Sequence, residues 1–222
     1  MSNQDAYYSR SEVSNSDLTA LKQLLHPGLA ASFDPVARER AFRMGSLVDA
    51  LITEPGRVNE YRLTVDDERY DEDEFRRARE MRRSLQLEAK RDAFLSRVLD
   101  SFDTQAVMVK PSQLFTYGEF NFSLPTRCKW DWWSEKYHMG GDLKTTGAAT
   151  QSEFEAAIDA FDWDRSRAWY MDIANSDRDF IYAISKRNYC IFKKFISRDD
   201  AVYTAGRNKY EELAFQYWCL SL

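Results

Sequence analysis

Histidine and cysteine are scarce in this chain of 222 residues, with two histidines (His26 and His138) and three cysteines (Cys128, Cys190 and Cys219), none forming a C-x-x-C pair. The scarcity argues against a disulfide framework, a zinc ribbon and a four-thiolate iron–sulfur cluster, and lends little support to a histidine-rich metal site. No apolar run approaches the roughly 18 residues that a membrane span needs. The opening MSNQDAYYSR lacks the basic-then-apolar order of a secretory signal, so the expected setting is the cytoplasm, with no membrane partner. Positive charge is not in excess either. A net charge of −5 is not that of a generic nucleic-acid coat, although a local basic channel on an acidic exterior can still handle phosphates. Repeats and low-complexity tracts are absent. With 44% hydrophobic and 30% charged residues, the chain is long enough to bury a sizeable core.

What is present centres on Arg127–Thr146, RCKWDWWSEKYHMGGDLKTT. Aromatic and β-branched residues fill two arms, Arg127–Trp133 and about Met139–Thr145, and polar and glycine residues separate them, which predicts a hairpin. A turn centred between Lys136 and Tyr137 sets Asp131 opposite Asp142. Alternation along the strand puts Asp142 and Lys144 on one face and Leu143 on the other. Facing Cβ atoms in such a pair are about 4.5–5.5 Å apart. Two carboxylates that close repel unless one takes up a proton or a cation sits between them. Hard oxygen ligands with room for water suit Mg²⁺ or Mn²⁺. A lysine two residues along adds an ammonium that can hold a phosphate or, with a lowered pKa, help to deprotonate water. The chemistry predicted is metal-assisted hydrolysis of a phosphodiester. Taken alone, D-x-K describes a surface hairpin with an ordinary ion pair; the facing Asp131 and the aromatic partner strand favour the site.

The rest of the chain supplies the frame. Ser16-Asp17 ahead of Leu18, Leu21, Leu24 and Leu25 predicts a short helix that stops near Pro27-Gly28. A second helix is predicted from Pro35 to about Thr53, with a wide apolar face that includes Asp49. A carboxylate there needs a partner or a metal, so Asp49 reads either as a ligand or as an aspartate bonded to neighbouring backbone or to an arginine. Residues 56–72 read as an acidic loop. Glu74 to about Asp103 reads as one long helix whose arginines form a solvated face or, in part, touch DNA phosphates. Strands are predicted over Ala106–Val109 and Leu114–Leu124, the second carrying Glu119. Trp130 and Trp132 are expected in the core on the face opposite Asp131, with Trp133 lining the cleft. Ser152–Asn175 reads as helical with a break near Asp162. A second hairpin, Phe180–Ser185 with Tyr189–Ile196, turns at Lys186-Arg187-Asn188, and a helix closes the chain between Ser197 and Leu222. Lys186, Lys193 and Lys194 either extend a basic rim or guard an edge strand against aggregation.

Asp131, a spacer and Gly141-Asp142-Leu143-Lys144-Thr145-Thr146 resemble the core motif of the PD-(D/E)XK nuclease superfamily. The branch resembled contains the phage-type exonucleases related to exodeoxyribonuclease VIII (RecE) and, more distantly, lambda exonuclease. Ser14-Asn15-Ser16-Asp17-Leu18 through His26-Pro27 is similar to that branch's opening. Arg43-Met44-Gly45-Ser46-Leu47-Val48-Asp49-Ala50-Leu51 with Glu54-Pro55 is similar to its G-x-x-x-H-x-L…E-P helix. The resemblance implies an α/β, restriction-endonuclease-like core: a mixed central β-sheet flanked by helices, with a helical N-terminal region. On it the chain is one domain over 1–222, mainly helical over 1–105 and sheet-containing over 106–222. It further implies a Mg²⁺-dependent DNA exonuclease acting on linear duplex, with Mn²⁺ substituting. Asp131, Asp142 and the Leu143 carbonyl would hold the metal, Lys144 would orient or activate water, and Asp49 would hold a second ion. DNA is the implied partner, together with a single-strand annealing protein and a homo-oligomeric ring, in a phage or prophage setting inside a bacterial cell. The branch's Gln-x-x-x-Tyr motif falls on Ser166-Arg167-Ala168-Trp169-Tyr170, so Ser166 and Tyr170 become candidate substrate contacts, with Arg165 or Arg167 as a phosphate contact. Two departures stand out: serine at 166 in place of glutamine, and aspartate at 49 in place of histidine. They support an alternative, a DNA-binding or regulatory protein that kept the fold and lost turnover; a structure-specific endonuclease is a third reading.

Overall fold

A computed structural model describes residues 7–30 and 34–221, apart from the side chains of residues 29 and 30. The MSNQDA opening and Leu222, expected at the end of the closing helix, lie outside the described residues. Helix α1 (Asn15–Leu25) starts where Ser14 and Asp17 close a reciprocal capping box, and α2 (Pro27–Ala30) is a single turn after it. Helix α3 (Pro35–Thr53) has Asp34 as its cap and proline in its first turn, and it buries Met44, Leu47, Val48 and Leu51. The stretch expected to be a plain loop holds three two-residue strands, β1 (Val58–Asn59), β2 (Thr64–Val65) and β3 (Glu68–Arg69), in a small antiparallel sheet.

The single long helix expected over Glu74–Asp103 is two, α4 (Glu72–Ala89) and α5 (Ala93–Ser101). Asp92 makes the break. Its Oδ1 accepts the N–H groups of Phe94 and Leu95, opening a new helix, while Oδ2 accepts from Tyr182 at 2.9 Å and Lys193 at 2.7 Å. Burial opposes the charge on Asp92, but the bonds from Lys193, Tyr182 and Leu95 prevail and hold its carboxyl below the usual aspartate range. Asp92→Ala is expected to lose about 1–2 kcal/mol in denaturant unfolding near neutral pH, the scale of a lost cap. A carboxylate lowered in the folded state stabilises above its unfolded pKa and loses that contribution as pH falls through the folded one. The gap between wild type and variant therefore narrows in acid.

Five strands form the main sheet in the order β4-β5-β6-β7-β8: β4 (Asp103–Tyr117), β5 (Phe120–Ser134), β6 (Met139–Thr146), β7 (Arg178–Ser185) and β8 (Ile191–Ser197). Neighbours are antiparallel except β6 and β7, which run parallel. That parallel step requires a crossover, supplied by α6 (Gln151–Ala160) and α7 (Trp163–Ala174). The expected strand over Leu114–Leu124 is instead a turn flanked by two strands. Tyr117 pairs with Phe120 and leaves a two-residue loop, Gly118-Glu119, with Gly118 at φ +58° as a hairpin loop of this length requires. The β4–β5 register shifts by one between Lys110 and Gln113, around Pro111, which has no N–H to give the ladder.

Alternation along β7 sends Ile181 and Ala183 to one face and Phe180, Tyr182 and Ile184 to the other. The first face packs under α1, α6, α7 and α8 (Ala201–Ser221); the second packs under α3, α4 and α5. The molecule is thus a mixed α/β fold, a five-stranded mixed sheet flanked by helices on both sides. Among the described residues no helix is long and apolar enough to cross a membrane.

Candidate active site

Strands β5 and β6 pair at Ser134 with Met139, Trp133 with Gly140 and Trp132 with Gly141, the register that sets Asp131 against Asp142. There the ladder stops. Beyond it β6 runs on beside β7, and the earlier part of β5 lies beside β4, so β5 and β6 part where the two aspartates stand. Asp131 bridges the gap with its side chain, Oδ2 accepting the Leu143 N–H at 2.7 Å. An extended residue sends its N–H and C=O to the same side, so the Leu143 carbonyl faces the same opening.

The other edge of β5 is disturbed at the same level. Ala106 pairs with Trp130 and Thr104 with Trp132, but Gln105, opposite Asp131, drops out of the ladder with φ +56°. The alternation of β5 breaks with it. Trp130 packs edge-on to Tyr170, ring centres 5.2 Å apart, while Trp132 stacks on Phe180 in the opposite core. The two tryptophans therefore do not share a face, contrary to the simple alternation of the sequence reading. Trp133 is buried beside Trp130 rather than lining an open cleft. A Cβ on Gly140 would lie 2.0 Å from the Trp130 ring and one on Gly141 2.0 Å from the Phe180 ring, which explains the paired glycines before Asp142. Glu119 sits in the exposed loop at the far tip of the hairpin, about 40 Å of extended chain from Asp131 at some 3.3 Å per residue. It has no part in this site.

Asp142 is buried between two cations. Lys144 Nζ stands 2.6 Å from Oδ2, and Arg167 Nη2, from α7, stands 3.1 Å from Oδ1. The lysine lies outside hydrogen-bonding angles, so Oδ2 is a buried acceptor with an ion pair but no hydrogen bond. Behind Arg167 stands Asp179 of β7, its Oδ2 3.6 Å from Nη1, with neither atom hydrogen-bonded. The guanidinium lies 4.3 Å above the Tyr170 ring and 5.4 Å from that of Trp130. Asp49 reaches the same region from α3. Thr53 donates to its Oδ1 at 2.9 Å, and the displaced Gln105 donates to Oδ2 at 3.4 Å.

The electrostatics are those of a site with acid to spare. Burial pushes the Asp131 carboxyl well above the usual range, and Asp49 and Asp142 push it further, against the pull of Lys144 and the Leu143 N–H. Burial also raises Asp49, opposed by the Thr53 hydroxyl, Lys129 and Lys144. Asp179 rises to about 8, mainly through burial, with Arg167 opposing and Asp142 adding. For Arg167, burial disfavours the charge, but Asp142 and Asp179 outweigh it and hold the guanidinium firmly protonated. A divalent cation would relieve the repulsion between Asp131 and Asp142. Among the described residues, no three carboxylate, histidine or cysteine side chains form a ready-made cage. The donors present suit an ion that keeps much of its water, as Mg²⁺ does, with Asp142 Oδ2 ion-paired to Lys144 but carrying no hydrogen bond.

Of the candidate substrate contacts, Tyr170 stands beside Arg167 and Trp130, next to Asp142. Ser166 is buried, and its hydroxyl donates back to the Trp163 carbonyl of its own helix at 2.8 Å. Arg165 is also buried. Its guanidinium is taken up by Asn15, Thr19 and Asp162, so it ties α7 to α1 and is not available to a phosphate. Two helical residues apart means a rotation of about 200°, which is why Arg165 and Arg167 face opposite ways. Nothing in the sequence marks Asp179, and Arg167 stands out there only as a substitute phosphate contact. Their signal is three-dimensional: β7 lies parallel beside β6, and Asp179 pairs with Gly140. A cleft of about 830 Å³, lined by Arg40, Arg43, Arg69, Tyr70 and Glu74 among others, takes in none of these groups.

No family model matches the chain, and no curated protein matches it in sequence. Among solved structures it is similar to SSO0001, at 12% identity and a TM-score of 0.37 over 64% of this chain and 70% of that one. It is also similar to a phage-related exonuclease from Haemophilus somnus 129PT, at 12% identity and a TM-score of 0.34 over 62% of this chain and 74% of that one. Likenesses this distant carry no argument about chemistry, which rests on the residues at the parting of β5 and β6.

Proposed function

We propose that the chain is a divalent-metal-dependent deoxyribonuclease of the PD-(D/E)XK type, acting as an exonuclease on linear duplex DNA. The observation behind this reading is the parting of β5 and β6, where Asp131 bonds the Leu143 N–H and faces a strand that presents Asp142 and Lys144. Asp131, Asp142 and the Leu143 carbonyl would hold Mg²⁺, or Mn²⁺ in its place. When bound, such an ion polarises a phosphoryl oxygen and lowers the pKa of water. Lys144, part-exposed at the mouth, orients the attacking water or the scissile phosphate. Asp49, held by Thr53 and Gln105, adds negative charge beside Asp131 and could bind a second ion or its water shell. In this reading the partner is DNA, with a single-strand annealing protein and a ring of copies as further proposals.

One observation favours a second reading, a DNA-binding or regulatory protein without turnover. Both oxygens of Asp142 already face cations of the protein itself. Incubating the purified chain with labelled linear duplex and with covalently closed circular DNA, in Mg²⁺ and in Mn²⁺, separates the readings. Shortening of the linear substrate alone is the expected result. Cleavage of the circle identifies an endonuclease, and binding without cleavage in either metal identifies the second reading.

A further inference from the structure

Arg167 is an unusual neighbour for a metal-binding carboxylate. It is a full positive charge, 1% exposed, in direct ion contact with Asp142. A cation approaching Asp142 meets the guanidinium as a competitor. The surroundings of Arg167 supply a second place for that charge. Nη1 lies 3.6 Å from Asp179 Oδ2, close enough to attract and too far to bond well, and both atoms lack any hydrogen bond. Asp179 is completely buried, and apart from Arg167 its carboxylate is engaged by the N–H of Phe180, at 2.6 Å on Oδ1. The guanidinium carbon lies 4.3 Å from the Tyr170 ring centre and 5.4 Å from that of Trp130, and Nε donates to the Ser166 hydroxyl at 3.3 Å, a pivot about which Nη1 and Nη2 can shift by a small rotation.

We infer that Arg167 is a built-in counter-ion that occupies Asp142 before metal arrives and moves toward Asp179 when it does, Asp179 being the receiving partner that makes the exchange possible. The inference rests on the metal-dependent reading above and adds a positioning pair to it. A movement of well under a side-chain length closes the 3.6 Å gap to a bonded ion pair and frees Asp142 Oδ1. No charge is left unpaired in either state, which a buried guanidinium requires.

The test is Mn²⁺ binding, followed by calorimetry and by the metal-induced rise in melting temperature, with no substrate present. Asp179→Asn is nearly isosteric and keeps an oxygen for the Phe180 N–H. It is expected to weaken Mn²⁺ binding by about 10- to 100-fold, the range typical of groups that support a ligand from behind. Arg167→Met is expected to act in the opposite direction. Its metal-free form melts lower than wild type, with Asp142 left beside a single cation, while Mn²⁺ binds at least as tightly and restores more of the melting temperature. Opposite signs at the two ends of one ion pair are not what a merely structural bridge produces. If wild type binds Mn²⁺ and Asp179→Asn binds it equally well, the exchange is refuted and the nuclease reading survives. If wild type binds no Mn²⁺, the nuclease reading falls and the exchange with it. Should Arg167→Met not fold, Asp179→Asn decides alone.

Discussion

Asp142→Ala and Lys144→Ala are expected to be folded and to lose DNA cleavage by about 10³-fold or more. Losing one preorganised stabilising group in an active site already costs about 10²–10³, and Asp142 in this reading is a direct metal ligand. Folding survives because neither change strands a charge in the core. Without Asp142, Arg167 still faces Asp179; without Lys144, Asp142 still faces Arg167. Asp131→Asn sharpens the result. It keeps an oxygen for the Leu143 N–H, so the geometry of the parted strands is preserved while one negative charge is removed. It is expected to be as inactive as Asp142→Ala. Single-turnover cleavage of linear duplex in Mn²⁺, beside circular dichroism melts of each variant, is the measurement. An Asp131→Asn protein that cleaves at wild-type rate would remove the carboxylate pair from the chemistry and leave the hairpin a structural feature.

The largest expected effect on stability lies where α8 crosses α7. A Cβ at Gly206 would stand 2.2 Å from the Asp164 carbonyl oxygen, 2.4 Å from its carbon and 2.8 Å from the Arg165 nitrogen. These are backbone atoms of a buried helix and cannot rotate aside, unlike the end of a side chain. Gly206→Ala must push the helices apart, and about 3 kcal/mol, the upper end of ordinary overpacking, is the expected cost in denaturant unfolding. The same displacement would move α7, which carries Arg167 and Tyr170 to the site. The variant is therefore expected to bind Mn²⁺ more weakly even where it remains folded. A variant as stable as wild type would mean that the two helices are free to separate at little expense.

What could be read in the residues, and what could not, follows the range of the forces involved. The helix start at Asp34 is legible because a cap acts within one turn, whereas the first helix opens at Ser14, ahead of the expected Ser16-Asp17, because Asp17 serves as the third helical residue of a capping box. Asp92 offered the same signal, and the surrounding charged run hid it by resembling one continuous polar face. The missed turn at Gly118-Glu119 was also local, a glycine at positive φ inside an apolar stretch that read as uninterrupted strand. The register of β5 on β6 was legible because period-two alternation and a short loop leave few alternatives.

By itself the chain determined the juxtaposition of Asp131 with Asp142 and Lys144, since those positions are fixed by strand periodicity and by a hairpin that closes over a few residues. Only the tertiary structure decided which charges complete the site. Arg167 meets Asp142, and Asp179 meets Arg167, because a crossover through α6 and α7 returns the chain parallel to β6 and lays one face of α7 against it. Arg165, two residues away, spends its charge on α1 instead. Helical rotation fixes the angle between the two arginines, but which of them faces the sheet is set by how the whole helix packs, and that depends on side chains far apart in the sequence.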